Sequence, residues 1–243
     1  MPAAEGEMTA FVAHPDGEGP FPVAVLYMDG VGYREQTKEN ARRFAAGGYY
    51  CVAPDLFHRW GDKLSFSREE LDDPATRQRL METVWTTKPE AARADTEALF
   101  AAIAGDPAAA PGPKVCVGYC MGARFALHMA AALPDEFVAA ASIHPGALAT
   151  DAPDSPHHEV AAVRGELYVA FSEHDQTATP ESVERFRKEV ERCGVRGVVE
   201  RVPGTNHGYA MADLPAYDRH AAERHFERTL DLWRRNLPEA TDV

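Results

Sequence analysis

Strand-length apolar runs alternate with segments of helical spacing along most of this chain, and that alternation limits the possible folds more than any other feature. The runs are VAVLYM at 23–28, YYCVAP at 49–54, KVCVGY at 114–119, VAAASIH at 138–144, ELYVAFS at 166–172 and GVVERV at 197–202. Several are apolar on both faces, as strands in the interior of a parallel sheet must be. Between them, residues 36–46, 90–104, 123–133, 180–193 and 217–236 repeat apolar positions at helical intervals. The pattern predicts an α/β fold with a mostly parallel central sheet and helices on both faces. GDPAAAPGPK at 105–114 and TDAPDSPHHE at 150–159 read as loops rather than linkers, so residues 1–243 are expected to form a single domain. The stretch from Arg59 to Lys88 carries no strand signal and is expected as a lid-like excursion over the strand ends.

Charge and composition narrow the functional classes. The 25 Lys and Arg residues face 38 Asp and Glu, a formal charge of -13, with no dense basic cluster. Nucleic acid and anionic membrane surfaces are therefore poor partners. The first residues lack the basic start and apolar core of a signal peptide, and no run approaches the ~18 apolar residues of a spanning helix. A soluble, cytoplasmic protein is expected. Cys51, Cys116, Cys120 and Cys193 are irregularly spaced and read as free thiols.

The chemistry is expected where VCVGYCMGAR ends the 114–119 strand. In open parallel sheets, sites lie beyond the carboxyl ends of the strands, and Cys120 follows such an end directly. A helix beginning soon after would leave Cys120 on a sharp strand-to-helix turn, with Gly118 and Gly122 avoiding collisions there. This G-x-C-x-G is a cysteine form of the G-x-S-x-G nucleophile elbow. The helix N-terminus offers free N–H groups and partial positive charge to a thiolate or an oxyanion. A buried structural thiol in a tight turn is the competing reading.

Two further residues fall in the order this chemistry needs. Asp175 stands just past the 166–172 strand and His207 just past the next, giving nucleophile, acid and histidine in sequence. His207 can carry a proton near neutral pH, Asp175 can fix its tautomer, and Cys120 can attack an acyl carbon. Read separately, Asp175 could cap the helix that starts near Pro180, and His207 could be an ordinary loop histidine. An oxyanion hole would draw on the backbone N–H of Met121 and of the loop after the early strand, at Gly30.

With these residues in hand, the chain resembles the dienelactone hydrolase family from about Met8 to Leu237. PVAVLYMDGVG, GGYYCVAPDLF, GYCMGARFALHMAA, EHD and GTNHGYA carry the likeness. The resemblance implies an α/β-hydrolase fold and a Cys-His-Asp hydrolase of small esters or lactones, with no metal or organic cofactor. It also implies an acidic residue near the resting thiol. Asp29 holds that place, one methylene shorter than the family's glutamate, and is also readable as a turn residue. Tyr119 beside the thiol is grouped with the pocket. Four residues after the histidine, where the family carries a substrate-binding arginine, this chain has Met211. A second family arginine could correspond to Arg77 or Arg79, each also readable as a solvated helix residue.

Other chemistries fit less well. Cys116 and Cys120 on one strand would stand about 13 Å apart, beyond the ~7 Å reach of a disulfide. His157, His158 and Glu159 are adjacent in a loop and His174 is next to Asp175, without the spacing of a metal-binding helix. His144 follows a strand and reads as a packed or turn histidine that could also line the pocket. The alternative from another class is a catalytically silent binding or regulatory protein on the same fold. The sequence does not choose between a monomer and a homodimer.

Overall fold

The computed structural model describes residues 1–61, 64–67 and 69–237. Asp62, Lys63 and Arg68, part of the expected excursion, lie outside the described residues. The chain divides into two compact units, Met1–Pro111 and Gly112–Val243.

Met1–Pro111 begins with a two-residue ladder, β1 (Pro2–Ala3) against β2 (Gly6–Glu7), followed by β3 (Ala10–Ala13), β4 (Val23–Tyr27) and β5 (Tyr50–Pro54). β5 pairs antiparallel with β3 and parallel with β4. Every residue of β4 and β5 is buried, as their unbroken apolar character requires. Helix α1 (Glu35–Ala46) lays Thr37, Asn40, Ala41, Phe44 and Ala45 inward at helical spacing and packs on β3 and β5. Helices α2 (Pro74–Thr86) and α3 (Pro89–Ile103) follow, each with proline in its first turn.

The sequence pattern omitted β3 and α2, for physical reasons. Strand β3 is four residues long with no fully buried position, so it lacks the apolar run that marks the others. Helix α2 buries only Thr83 and Val84, which leaves no apolar stripe to detect. Its start is nonetheless written locally, because Asp73 accepts from the Thr76 amide at 2.8 Å just before Pro74.

Gly112–Val243 contains β6 (Lys114–Tyr119), α4 (Met121–Ala132), β7 (Phe137–Ile143), β8 (Glu166–His174), α5 (Pro180–Cys193), β9 (Gly197–Asn206) and α6 (Arg219–Asn236). Strands β6, β7, β8 and β9 pair in that order and all run parallel. Their carboxyl ends therefore share one rim.

The alternation of side chains along β6 places helices on opposite faces. Cys116 directs its sulfur to the Ala126 carbonyl of α4 at 3.7 Å, whereas Tyr119, of opposite parity, meets His225 of α6 through its hydroxyl at 3.0 Å. Helix α4 starts at Met121, two residues earlier than the apolar spacing suggests, with Cys120 itself as its N-cap.

Candidate active site

The elbow follows from the parity of β6. Gly118 points to the same face as Cys116, toward the first turn of α4. A Cβ built there would lie 1.9 Å from the Gly122 carbonyl oxygen and 2.7 Å from the Ala123 nitrogen. Only glycine allows the helix to start this close to the strand. Ser142 of β7, which pairs with Gly118, secures the same turn by donating its hydroxyl to the Ala123 carbonyl at 2.8 Å.

Cys120 has φ 53° and ψ -110°, a left-handed region seldom entered by residues with a side chain. Its amide donates to the Ile143 carbonyl at 3.0 Å and its carbonyl accepts from Ala123 at 3.2 Å, which hold the backbone in that conformation. Of the four free thiols, Cys51 and Cys116 are buried and burial pushes both upward, away from ionisation, whereas Cys120 is partly open to solvent.

Asp175 and His207 stand at the ends of β8 and β9 and meet the elbow. His207 Nε2 lies 2.9 Å from Cys120 Sγ, and Nδ1 lies 2.6 Å from Asp175 Oδ2. A carboxylate can only accept, so Nδ1 carries the hydrogen toward Asp175 and Nε2 faces the sulfur. The other Asp175 oxygen accepts from the Thr177 amide at 2.8 Å and from its hydroxyl at 2.7 Å. The residue after next thus fixes the acid, an Asx-type turn readable in DQT.

The electrostatics of the set are mutually reinforcing. For His207, burial opposes the charged form, but negative charge at Cys120 and the hydrogen bond to Asp175 outweigh it, raising the pKa from 6.5 to about 10. Burial likewise works against the Asp175 carboxylate, yet its bonds to His207 and Thr177 hold it below the usual carboxylate range.

His144, just past β7, is fully buried beside this set. Its ring centroid lies 5.3 Å from that of His207 and 5.4 Å from that of Tyr209. Burial keeps it neutral, reinforced by the neighbouring charges of His207 and His225. The position after a strand gave a signal for His144; nothing in the sequence gave one for Tyr209. Gly146 is required locally, since a Cβ there would sit 2.6 Å from the Thr177 hydroxyl.

The remaining predicted residues have the following surroundings. Tyr119 is buried and bonded to His225. Met121 is the first residue of α4, where the amide has no acceptor within the helix. Met211 is buried, its amide bonded to the Gly208 carbonyl at 3.0 Å. In Met1–Pro111, Gly30 is buried with no room for a Cβ, which would come within 2.5 Å of Val84. Asp29 is buried and held by Arg34, with Nη1 to Oδ1 at 2.5 Å and Nη2 to Oδ2 at 3.0 Å, and by the Val31 amide at 3.0 Å. Nothing in the sequence pattern marks Arg34 as its partner. Arg77 and Arg79 are exposed on α2, the former bonded to the Leu71 carbonyl and the latter over the ring of Phe66. Among the described residues no group of three His, Cys, Asp or Glu side chains is arranged to hold a metal, and no helix is long and apolar enough to cross a membrane.

Comparison with known proteins gives a consistent picture. The sequence pattern of the dienelactone hydrolase family matches residues 8–237. A protein of Azospirillum brasilense provisionally named carboxymethylenebutenolidase is 27% identical over 245 residues, covering 98% of this chain and 97% of that protein. One of Escherichia coli K12 with the same provisional name is 25% identical over 239 residues, covering 96% and 84%. A provisionally named dienelactone hydrolase of Klebsiella pneumoniae superposes with a TM-score of 0.79 at 19% identity, covering 94% of this chain and 99% of that one. An esterase of Pyrobaculum calidifontis superposes at 0.67 and 17% identity, covering 98% and 84%. The fold is therefore that of the α/β-hydrolases.

Proposed function

The chain belongs to the dienelactone hydrolase family and is a carboxylic ester or lactone hydrolase, and we propose that it works through a Cys120 acyl-enzyme. The observation that carries this reading is the continuous line from Cys120 Sγ through His207 to Asp175, at 2.9 and 2.6 Å.

In the proposed cycle, His207 takes the thiol proton and Cys120 sulfur attacks the acyl carbon, forming an S–C bond as the carbonyl pair moves onto oxygen. The Met121 N–H meets that oxyanion. Collapse expels the alkoxide, which takes the proton from His207 and leaves a thioester. His207 then removes a proton from water, hydroxide attacks the thioester, and the departing sulfur regains the proton. Asp175 accepts from Nδ1 throughout and does not take the proton.

The substrates in this reading are small esters and lactones. Met211 supplies an apolar thioether where the family resemblance implies a carboxylate-binding arginine, so substrates without a carboxylate should be accepted. Free thiols fit a reducing compartment, which supports the cytoplasm as the place of action.

Mixing the protein with a nitrophenyl ester and analysing it by mass spectrometry tests the mechanism. An acyl adduct on Cys120 is expected, together with loss of turnover in Cys120→Ala and a fall of several orders of magnitude in His207→Ala. Unchanged ester turnover in Cys120→Ala would reject it.

A further inference from the structure

The cycle above makes no use of His144, yet several features meet there. It adopts φ 40°, a left-handed conformation in which histidine is one of the few tolerated side chains. Its amide is held by the Ala170 carbonyl at 2.8 Å, so the conformation is built in. The ring is fully buried, and neither nitrogen has a hydrogen-bond partner among the described residues. Buried polar atoms in native proteins are nearly always paired, so an exception calls for an explanation. Finally, the ring is set at 68° to that of His207, with centroids 5.3 Å apart.

The groups around this contact are few. His207 faces Cys120 at the head of α4 and Asp175 after β8. His144 faces His207, Tyr119 of β6 and Tyr209, with the charge of His225 from α6 also felt there. Glu200 of β9 and Arg224 of α6 are bonded to each other and act on Tyr209. Arg124 of α4 acts on Cys120.

We propose that His144 is a positioning residue for His207, a buried ring that fixes the plane of the imidazole between Cys120 and Asp175 and favours its protonated form. This rests on the Cys120–His207 pairing of the preceding section. A near-perpendicular contact is the favoured arrangement of two rings, the edge of one meeting the face of the other. When the edge belongs to a cationic ring and the face to a neutral one, the attraction grows, and it grows further out of water. The neutrality of His144 is essential, because a second imidazolium at this distance would repel the first. Burial secures that neutrality.

The proposal is tested by titrating the full-length protein, labelled with 15N at histidine, without substrate. His207 is expected to stay protonated to high pH while His144 remains neutral throughout. His144→Asn tolerates the backbone but removes the aromatic ring, and should lower the pH at which His207 loses its proton by roughly half to one and a half units. The rate of Cys120 alkylation against pH should shift with it. His144→Phe restores a ring at the cost of strain at φ 40°, and should recover part of the range.

A purely structural role would lower the melting temperature without moving either profile, and that result would overturn the proposal. So would a His144 that becomes charged while His207 is charged, a measurement on the unaltered protein that holds even if a variant fails to fold. Absence of any His207 imidazolium above neutral pH in the unaltered protein would instead count against the catalytic pairing itself.

Discussion

Replacing Gly118 by alanine tests whether the elbow is set by contact between strand and helix. The added Cβ would begin 1.9 Å from the Gly122 carbonyl oxygen and 2.3 Å from its carbon. Restoring a clearance of about 3 Å requires the first turn of α4 to recede by roughly 1 Å, an overpacking change that typically costs about 1–3 kcal/mol. Both neighbours are main chain, so no side-chain rotation relieves the clash. Cys120 caps that turn and would move with it. A displacement of about 1 Å at a reacting atom can cost on the order of 10²-fold in rate. Initial rates on a nitrophenyl ester should therefore fall by about 10²-fold, and the melting temperature should fall by roughly 2–12 °C for a chain of this size. The thiol would remain present and open to alkylation, which separates misplacement from loss of the nucleophile. A Gly118→Ala protein with full activity and unchanged melting temperature would refute the reasoning.

Three further outcomes follow from the contacts described. Asp175→Asn should lower kcat by about 10³- to 10⁴-fold, because an amide at that place favours the wrong tautomer of His207; a crystal structure or circular dichroism spectrum should remain unchanged. The raised His207 pKa means that its contribution to stability is fully present below 6.5 and fades as pH rises through about 10. For Asp175 the shift is downward, so its contribution is present above the ordinary 3.8 and lost as pH falls through the lower folded value. Melting curves of the protein and its His207→Ala and Asp175→Asn variants across pH check both signs. Arg34→Ala should cost about 3–5 kcal/mol in denaturant unfolding, because it leaves the Asp29 carboxylate buried without its ion pair.

What the sequence disclosed, and what it withheld, follows from how far each signal reaches. Strands buried on both faces, such as Val23–Tyr27 and Tyr50–Pro54, must be apolar throughout and were plain. Cys120, Asp175 and His207 were legible because each follows a strand end in a parallel arrangement, where position along the chain determines position on the rim. The Thr177 contact to Asp175 is just as local, in DQT, but was not among the sequence expectations. Helix α2 and strand β3 were hidden because their side chains carry little burial. His144 was noticed as a residue after a strand, but its contact with His207 depends on the spacing of β7 and β9 across the sheet, with β8 between them. The pairing of Asp29 with Arg34 spans five residues around a turn, and only its three-dimensional course brings the guanidinium back to the carboxylate.

Because β6 to β9 all run the same way, every strand also begins at a common edge away from Cys120, Asp175 and His207. The turn at Gly194–Arg196 leads into β9 at that edge, and Gly194, at φ 67°, has open space around its Cα. A tether to a solid support fastened there would hold the protein by the starts of these strands and leave the rim at their carboxyl ends facing the solution.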